Sequence, residues 1–207
     1  MTGKFITFEG IDGSGKSTQL AMLAAELRRN GHEVVTTREP GGTPLGEALR
    51  AAFLETNGPV APMAELLSFA ADRAQHVEHL IRPEIAAGKF VISDRYADAT
   101  FAYQGAGRGF TEEQVNSVIA LATGGLKPDL TLFFDITPQE ATRRMTTRPD
   151  AKRNRMDDET EEFYTRVREA YLGIAEREPE RFIVVEASGK IDDIHRHVME
   201  IVLPRLQ

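Results

Sequence analysis

Phe5-Ile-Thr-Phe-Glu9, running straight into Gly10-Ile-Asp-Gly-Ser-Gly-Lys16-Ser17, decides the fold of this 207-residue chain. The first five residues are β-branched or aromatic up to a terminal acid, the make-up of a short buried strand. The next eight match G-x-x-x-x-G-K-[ST], and a helical pattern near Ser17–Asn30 follows. Strand, glycine loop and helix in that order form a phosphate-binding loop. Its glycines let backbone N–H groups converge on phosphate oxygens, and the helix N-terminus adds partial positive charge. Gly10, Ile11, Asp12, Gly13, Ser14, Gly15, Lys16, Ser17 and Thr18 are therefore expected to cradle ATP. Lys16 would reach the β- and γ-phosphates, and the Ser17 hydroxyl would ligate Mg²⁺. Asp12 is out of place beside a triphosphate, so it either points to a donor such as a sugar hydroxyl or is a solvated loop aspartate.

Outward from this loop, short apolar runs alternate with longer helical patterns, which predicts a parallel sheet built from βαβ units. Strands are expected at Phe5–Glu9, Glu33–Thr37, Phe90–Ser93, Leu130–Asp135 and Phe182–Glu186. Helices are expected near Ser17–Asn30, Leu45–Glu55, Ala64–Ala87, Thr111–Ala122, Pro138–Thr146, Glu159–Arg177 and Ile191–Leu206. Glu39–Pro44 and Gly105–Gly109 read as loops because of their prolines and glycines. No boundary divides the chain. The expected fold is a single three-layer α/β domain with five parallel strands and helices on both faces.

Lys and Arg number 25 against 32 Asp and Glu, a net charge of −7, which argues against non-specific nucleic-acid binding and against docking on anionic membranes. There is no cysteine, which excludes disulfides, thiolate zinc sites and cysteine nucleophiles. The longest stretch free of charged side chains, Gln114–Leu126, is 13 residues and too short to span a bilayer. The opening MTGKFITFEG has no signal-peptide character, so a cytoplasmic location is expected.

A phosphate loop alone does not separate switches, motors and kinases. The nearest string to a guanine-recognition N-K-x-D, Leu126-Lys-Pro-Asp129, lacks the Asn or Thr, and Asp135-Ile-Thr-Pro138 fails the D-x-x-G switch pattern. The strand Phe90–Ser93 ends on Asp94-Arg95, an acid for the Mg²⁺ shell beside a cation for a second phosphate. Arg143, Arg144, Arg148, Lys152, Arg153 and Arg155 against Asp150 alone give 6 − 1 = +5 within thirteen residues of an acidic chain. A mobile positive lid at about 143–158 would close over transferring phosphates, expel water and offset charge. For Arg143 and Arg144 a plain helix surface is the alternative.

These residues resemble the thymidylate (dTMP) kinase family over nearly the whole chain. The likeness rests on Phe8–Thr18, Thr37-Arg-Glu-Pro-Gly-Gly-Thr43, Phe69-Ala-Ala-Asp-Arg-Ala-Gln-His76, Asp94-Arg-Tyr96, Ala102-Tyr-Gln-Gly105 and a basic segment ending in Asn154-Arg155. The resemblance implies a nucleoside-monophosphate-kinase fold, transfer from ATP to dTMP with Mg²⁺ held by Ser17 and Asp94, and a homodimer. It implies Lys16, Arg95, Arg153 and Arg155 as the catalytic cations. For dTMP it implies Arg38 and Arg95 on the phosphate, Phe69 stacked on thymine and Arg73 donating to its O4. Asp12 would hold the sugar 3′-hydroxyl and Tyr103 would crowd C2′, with Thr100 and Gln104 close by. Ala99 stands where the family pattern has serine, and Asn154 where it has aspartate.

Phe69 and Arg73 are i and i+4, so both can face one ligand. The neighbouring stripe Leu66, Ala70, Ala74, Val77 and Ile81 is expected to bury, while His76 and His79 read as structural or solvated. The Ala187-Ser-Gly189 turn is the candidate adenine contact. Two other activities remain in view, a deoxynucleoside kinase and an ATPase or GTPase switch.

Overall fold

The computed structural model describes residues 3–56, 58–147 and 155–205. Five strands, β1 (Lys4–Glu9), β2 (Val34–Arg38), β3 (Phe90–Asp94), β4 (Leu130–Asp135) and β5 (Phe182–Glu186), pair in parallel in the order β2-β3-β1-β4-β5. β1 is central, and the chain order reverses around it. Its carboxyl end is the crevice where such sheets bind ligands, so the glycine loop starts at the one place the topology leaves open.

Alternation fixes what each face of the sheet does. Phe8 stacks on Phe134, with centroids 5.1 Å apart, on one face. On the other, Phe133 stacks on Tyr171 at 4.8 Å, and the Thr7 and Thr131 hydroxyls satisfy each other at 2.7 Å. Both faces are covered, so β1 and β4 read as nearly continuous buried runs rather than as alternating ones.

The helices are α1 (Lys16–Arg29), α2 (Pro44–Leu54), α3 (Pro62–His76), α4 (Arg82–Ala86), α5 (Ala97–Thr100), α6 (Glu112–Thr123), α7 (Pro138–Thr146), α8 (Glu161–Arg177) and α9 (Ile191–Val202). Thr43, Thr137 and Thr160 cap α2, α7 and α8, each accepting from a backbone N–H three residues on. Thr111 and Gln114 form a reciprocal capping box on α6.

Two expected elements differ. The helix expected at Ala64–Ala87 widens at Val77–Ile81, where the Arg82 N–H bonds back five residues to the Val77 carbonyl. Pro83 has no N–H to give residue 79, and its ring crowds that carbonyl, so a wide turn relieves both. The loop expected at Gly105–Gly109 is in fact helical as far as Gly107, because α5 continues into a wide-turn segment over Phe101–Gly107. Gly107 is not a breaker here, since any Cβ would collide with the ring of Phe163.

The stripe on α3 is a third correction. Leu66, Val77 and Ile81 are buried, but Ala70 and Ala74 only half so, and the deepest face of α3 is polar: Glu65, Asp72, Arg73 and His76. No helix among the described residues is long and apolar enough to cross a membrane.

Candidate active site

The carboxyl ends of β1, β2 and β3, together with α2, α3, α7 and the 97–107 helix, enclose a cavity of about 690 Å³. The glycine loop forms one end of it. Gly10, Gly13 and Gly15 all take positive φ, which a residue with a Cβ adopts only under strain. Lys16 is buried and folds back so that Nζ donates to the carbonyls of Gly10 (2.9 Å) and Ile11 (3.0 Å). Burial, then the nearby Arg95, pulls its pKa below the ordinary lysine range.

Ser17 Oγ donates to Asp94 Oδ2 at 3.1 Å, while Asp94 Oδ1 is buried with no hydrogen-bond partner. A hydroxyl and a carboxylate meeting at the loop's mouth, with one carboxylate oxygen to spare, fit Mg²⁺. That ion takes one or two protein oxygens and completes its octahedron with water and phosphate.

Arg95 is the hinge between the two ends. It is the one non-glycine residue at positive φ (71°) among those described. Three bonds hold that backbone: Arg95 N–H to Phe8 O (2.9 Å), Ser93 Oγ to Arg95 O (2.7 Å) and Tyr96 N–H to Glu9 Oε1 (2.8 Å). The twist turns the guanidinium back over the loop, where Nη2 meets Asp12 Oδ1 at 2.7 Å and the group lies 5.6 Å above the Tyr103 ring. Burial works against charge on Asp12, but Arg95 and then Lys16 outweigh it and hold its carboxyl down at about 2.

Glu9 behaves oppositely. It is enclosed and takes hydrogen bonds from the Tyr96 N–H and from the Tyr171 hydroxyl at 2.7 Å. Burial, helped by Asp98, pushes it from 4.5 up to about 8. The folded chain then keeps a proton that the unfolded chain gives up, so this contribution to stability is full below about pH 4.5 and is lost as pH rises to about 8. Glu9→Gln cannot titrate. Denaturant unfolding from about pH 5 to 8 should give a shallower fall of stability with pH for that variant, and equal slopes would remove Glu9 from the account.

At the far end, Arg73 is fully buried. It donates to Glu39 Oε2 (2.8 Å), Thr100 Oγ1 (2.7 Å) and Tyr96 O (2.8 Å) and still lines the cavity with N–H groups left over. Phe69 lies alongside, edge-on to Phe53 at 4.8 Å. His76 is structural, bridging Glu39 and Thr37, as its surroundings on α3 require. Tyr103 and Gln104 complete the wall, with Ala99 between the two ends.

A phosphate loop that faces an aromatic-and-arginine pocket across one cavity suits two phosphorylated ligands. The model of the family described as "Thymidylate kinase" matches residues 8–198. The chain belongs to the thymidylate kinase family. A thymidylate kinase of Chlorobium chlorochromatii is 45% identical over 211 residues, covering 98% of this chain and 95% of that one. One of Clavibacter sepedonicus is 50% identical over 190 residues, covering 90% and 88%. The crystal structure of thymidylate kinase from Ehrlichia chaffeensis superposes with a TM-score of 0.79 at 35% identity, covering 98% of this chain and 99% of that one. The five-stranded parallel sheet is thus the thymidylate kinase fold.

Not every expected site residue reaches the cavity of this thymidylate kinase family member. Asp12, Gly13, Gly15, Lys16, Ser17, Thr18, Phe69, Arg73, Arg95, Thr100, Tyr103 and Gln104 do, whereas Gly10, Ile11, Ser14 and Asp94 are not in its wall. Arg38 is exposed at the end of β2 and is not in the cavity wall, where Arg50 of α2 is found instead, its Nη1 on the Pro40 carbonyl at 3.1 Å. Burial, then repulsion from Arg38 and Arg95, lowers the pKa of Arg50, with Asp12 and Glu55 opposing the shift. No helical spacing links Arg50 to the glycine loop, so nothing local in the sequence marks it.

Arg155 is bonded to Phe53 O and to Glu65 Oε2 (2.7 Å), both beside the Phe69–Arg73 end of the cavity. Arg143 and Arg144 both pair with Glu140, a plain helix surface. Arg148, Lys152, Arg153 and Asn154 lie outside the described residues. Glu65 was also missed, although it sits at i−4 from Phe69 and i−8 from Arg73, on the same face of α3.

Because Arg73 partners a buried carboxylate, Arg73→Ala should do two things. It should raise the KM for dTMP about tenfold or more, and it should lower Tm by about 10 °C, since stranding a buried charge costs about 3–5 kcal/mol. Thermal unfolding and steady-state kinetics of the same preparation check both; an unchanged KM would take Arg73 out of the base pocket.

Proposed function

We infer that this chain transfers the γ-phosphoryl group of ATP to dTMP, giving ADP and dTDP. The observation that carries this reading is Arg95, held by a strained backbone between the phosphate loop and the Phe69–Arg73 pocket, where it can touch both anions.

In this reading Lys16 leaves the Gly10 and Ile11 carbonyls for the β- and γ-phosphates. Arg95 and Arg50 hold the dTMP phosphate, Phe69 stacks on thymine and Arg73 donates to O4. Asp12 accepts from the 3′-hydroxyl and Tyr103 fills the space beside C2′. Ser17 and Asp94 would hold Mg²⁺. Bound there, Mg²⁺ would offset the negative charge of the transferring phosphates. Arg153 and Arg155 are the lid cations of a single domain, and Arg155 must leave Glu65 to serve. The turn at Ala187, whose carbonyl takes Arg144 Nη2 at 2.9 Å, suits adenine. A homodimer in the cytoplasm completes the reading.

The nucleophile is a dTMP phosphate oxygen, whose second pKa near 6 leaves it mostly ionised at neutral pH. No general base is needed, and none is assigned. Catalysis is then alignment of two mutually repelling anions and neutralisation of the charge between them. A deoxynucleoside kinase would instead need a carboxylate base, yet Asp12, the acid within the loop, is held at about 2 by Arg95 and Lys16 and is a poor proton acceptor. ADP release measured with ATP plus dTMP, thymidine or no acceptor separates these activities. Release is expected with dTMP alone. Turnover with thymidine would make the protein a nucleoside kinase, and equal turnover without acceptor an ATPase.

A further inference from the structure

Glu65 is a buried carboxylate in the wall between the base pocket and residues 155–159, and none of the chemistry above uses it. Its two oxygens accept from Gln104 Nε2 (2.7 Å), Arg108 Nε and Nη2 (both 3.1 Å) and Arg155 Nη2 (2.7 Å). Burial pushes the carboxyl up, but the hydrogen bonds from Arg108, Gln104 and Arg155 prevail and keep it below the ordinary carboxylate range. An ionised carboxylate can only accept.

A glutamine amide has one donating and one accepting end, and a neighbour that only accepts decides which end it sees. Gln104 gives its NH₂ to Glu65, and its Oε1 receives no hydrogen bond from any described residue. Gln104 lines the cavity within the same wall as Arg73. The pocket therefore offers a base a donor from Arg73 and an acceptor from Gln104. Thymine and uracil present the complement, an acceptor at O4 and a donor at N3–H. Cytosine presents the reverse, an amino donor at position 4 and a bare acceptor at N3.

We propose that Glu65 is a positioning residue for base specificity: by fixing the Gln104 amide with Oε1 toward the cavity, it makes the site accept a pyrimidine carrying N3–H and reject one with an unprotonated N3. The proposal rests on the dTMP-kinase reading above. It assigns Arg108 a part too, since its two bonds keep the Glu65 carboxylate charged and stationary when Arg155 leaves for the phosphates. Without that anchor the amide can turn over and offer NH₂ to cytosine N3.

The test is the ratio of kcat/KM for dTMP to that for dCMP, with dUMP as an internal control, in the wild type, in Glu65→Gln and in the swapped pair Glu65→Gln/Gln104→Glu. Glu65→Gln is expected to lower the dTMP:dCMP ratio about 10- to 100-fold, the size of one buried donor–acceptor mismatch. It should leave the dTMP:dUMP ratio within about threefold, because those two bases share the N3–H edge. The swapped pair restores an acceptor-only group facing the base and should recover the wild-type dTMP:dCMP ratio. If Glu65→Gln alone does not fold, the swapped pair still decides, since it keeps one carboxylate and one amide at the two positions.

An unchanged dTMP:dCMP ratio in folded Glu65→Gln overturns the proposal. So does a parallel fall in the dTMP:dUMP ratio, which marks general loosening, and so does a swapped pair that fails to recover. A wild type without dTMP-dependent ADP release would instead sink the reading on which this inference rests.

Discussion

Arg95→Ala is expected to lower kcat with dTMP by about 10³–10⁵, the range found for an arginine that offsets charge on a transferring phosphoryl group. The expectation comes from position rather than from charge alone. Arg95 follows Asp94, whose backbone lies in β3 beside β1, and its φ of 71° turns the side chain back over the glycine loop. Phe8, Ser93 and Glu9 each hold one backbone group of that turn, so the guanidinium is aimed before any ligand arrives. Such preorganisation is what makes a charge effective in a site that excludes water. Arg95→Lys should recover only a small part of the loss, since an ammonium cannot bridge Asp12 and a phosphate with the same planar fork. Stopped assays with saturating ATP and dTMP measure it. A kcat within tenfold of wild type for Arg95→Ala would show that other groups hold the two anions together.

Lys16→Met should lower kcat by about 10²–10³, comparable to removing one preorganised donor from a transition-state site. Lys16 keeps its charge in the folded chain by leaning on the Gly10 and Ile11 carbonyls and on Asp12, 3.9 Å away. Burial, then Arg95, lowers the pKa of its ammonium, and a triphosphate would oppose that shift more strongly than two carbonyls and one carboxylate do. Methionine matches the stem and removes only the charge, so loop geometry should survive. Binding of dTMP should be nearly unaffected, because Lys16 serves the other nucleotide. If Lys16→Met weakened dTMP binding as much as it slowed turnover, the division of the cavity into two ends would be wrong.

The parts of the protein legible in the sequence are those where one residue type has one local use. The five strands and the glycine loop fall into this class, because period and φ are decided within a few residues. Gly107 was misread for the opposite reason: its use is to let Phe163 approach from 56 residues away, and nothing nearby announces that. The polar face of α3 was obscured similarly. Glu65 and Asp72 look like solvated acids until Gln104 and the Gly41 N–H come from elsewhere to satisfy them. Arg38 and Arg50 carry the same charge at opposite ends of one loop and helix, and only the packing of α2 decides which of them faces the cavity.

Calorimetric titration of dTMP into the wild-type chain saturated with Mg²⁺ and a non-hydrolysable ATP analogue tests the central claim most directly. Two separate sites at the two ends of one cavity predict binding of one dTMP per chain with the analogue in place, and loss of that heat in Phe69→Ala. Competition between dTMP and the analogue, with neither able to bind beside the other, would contradict it.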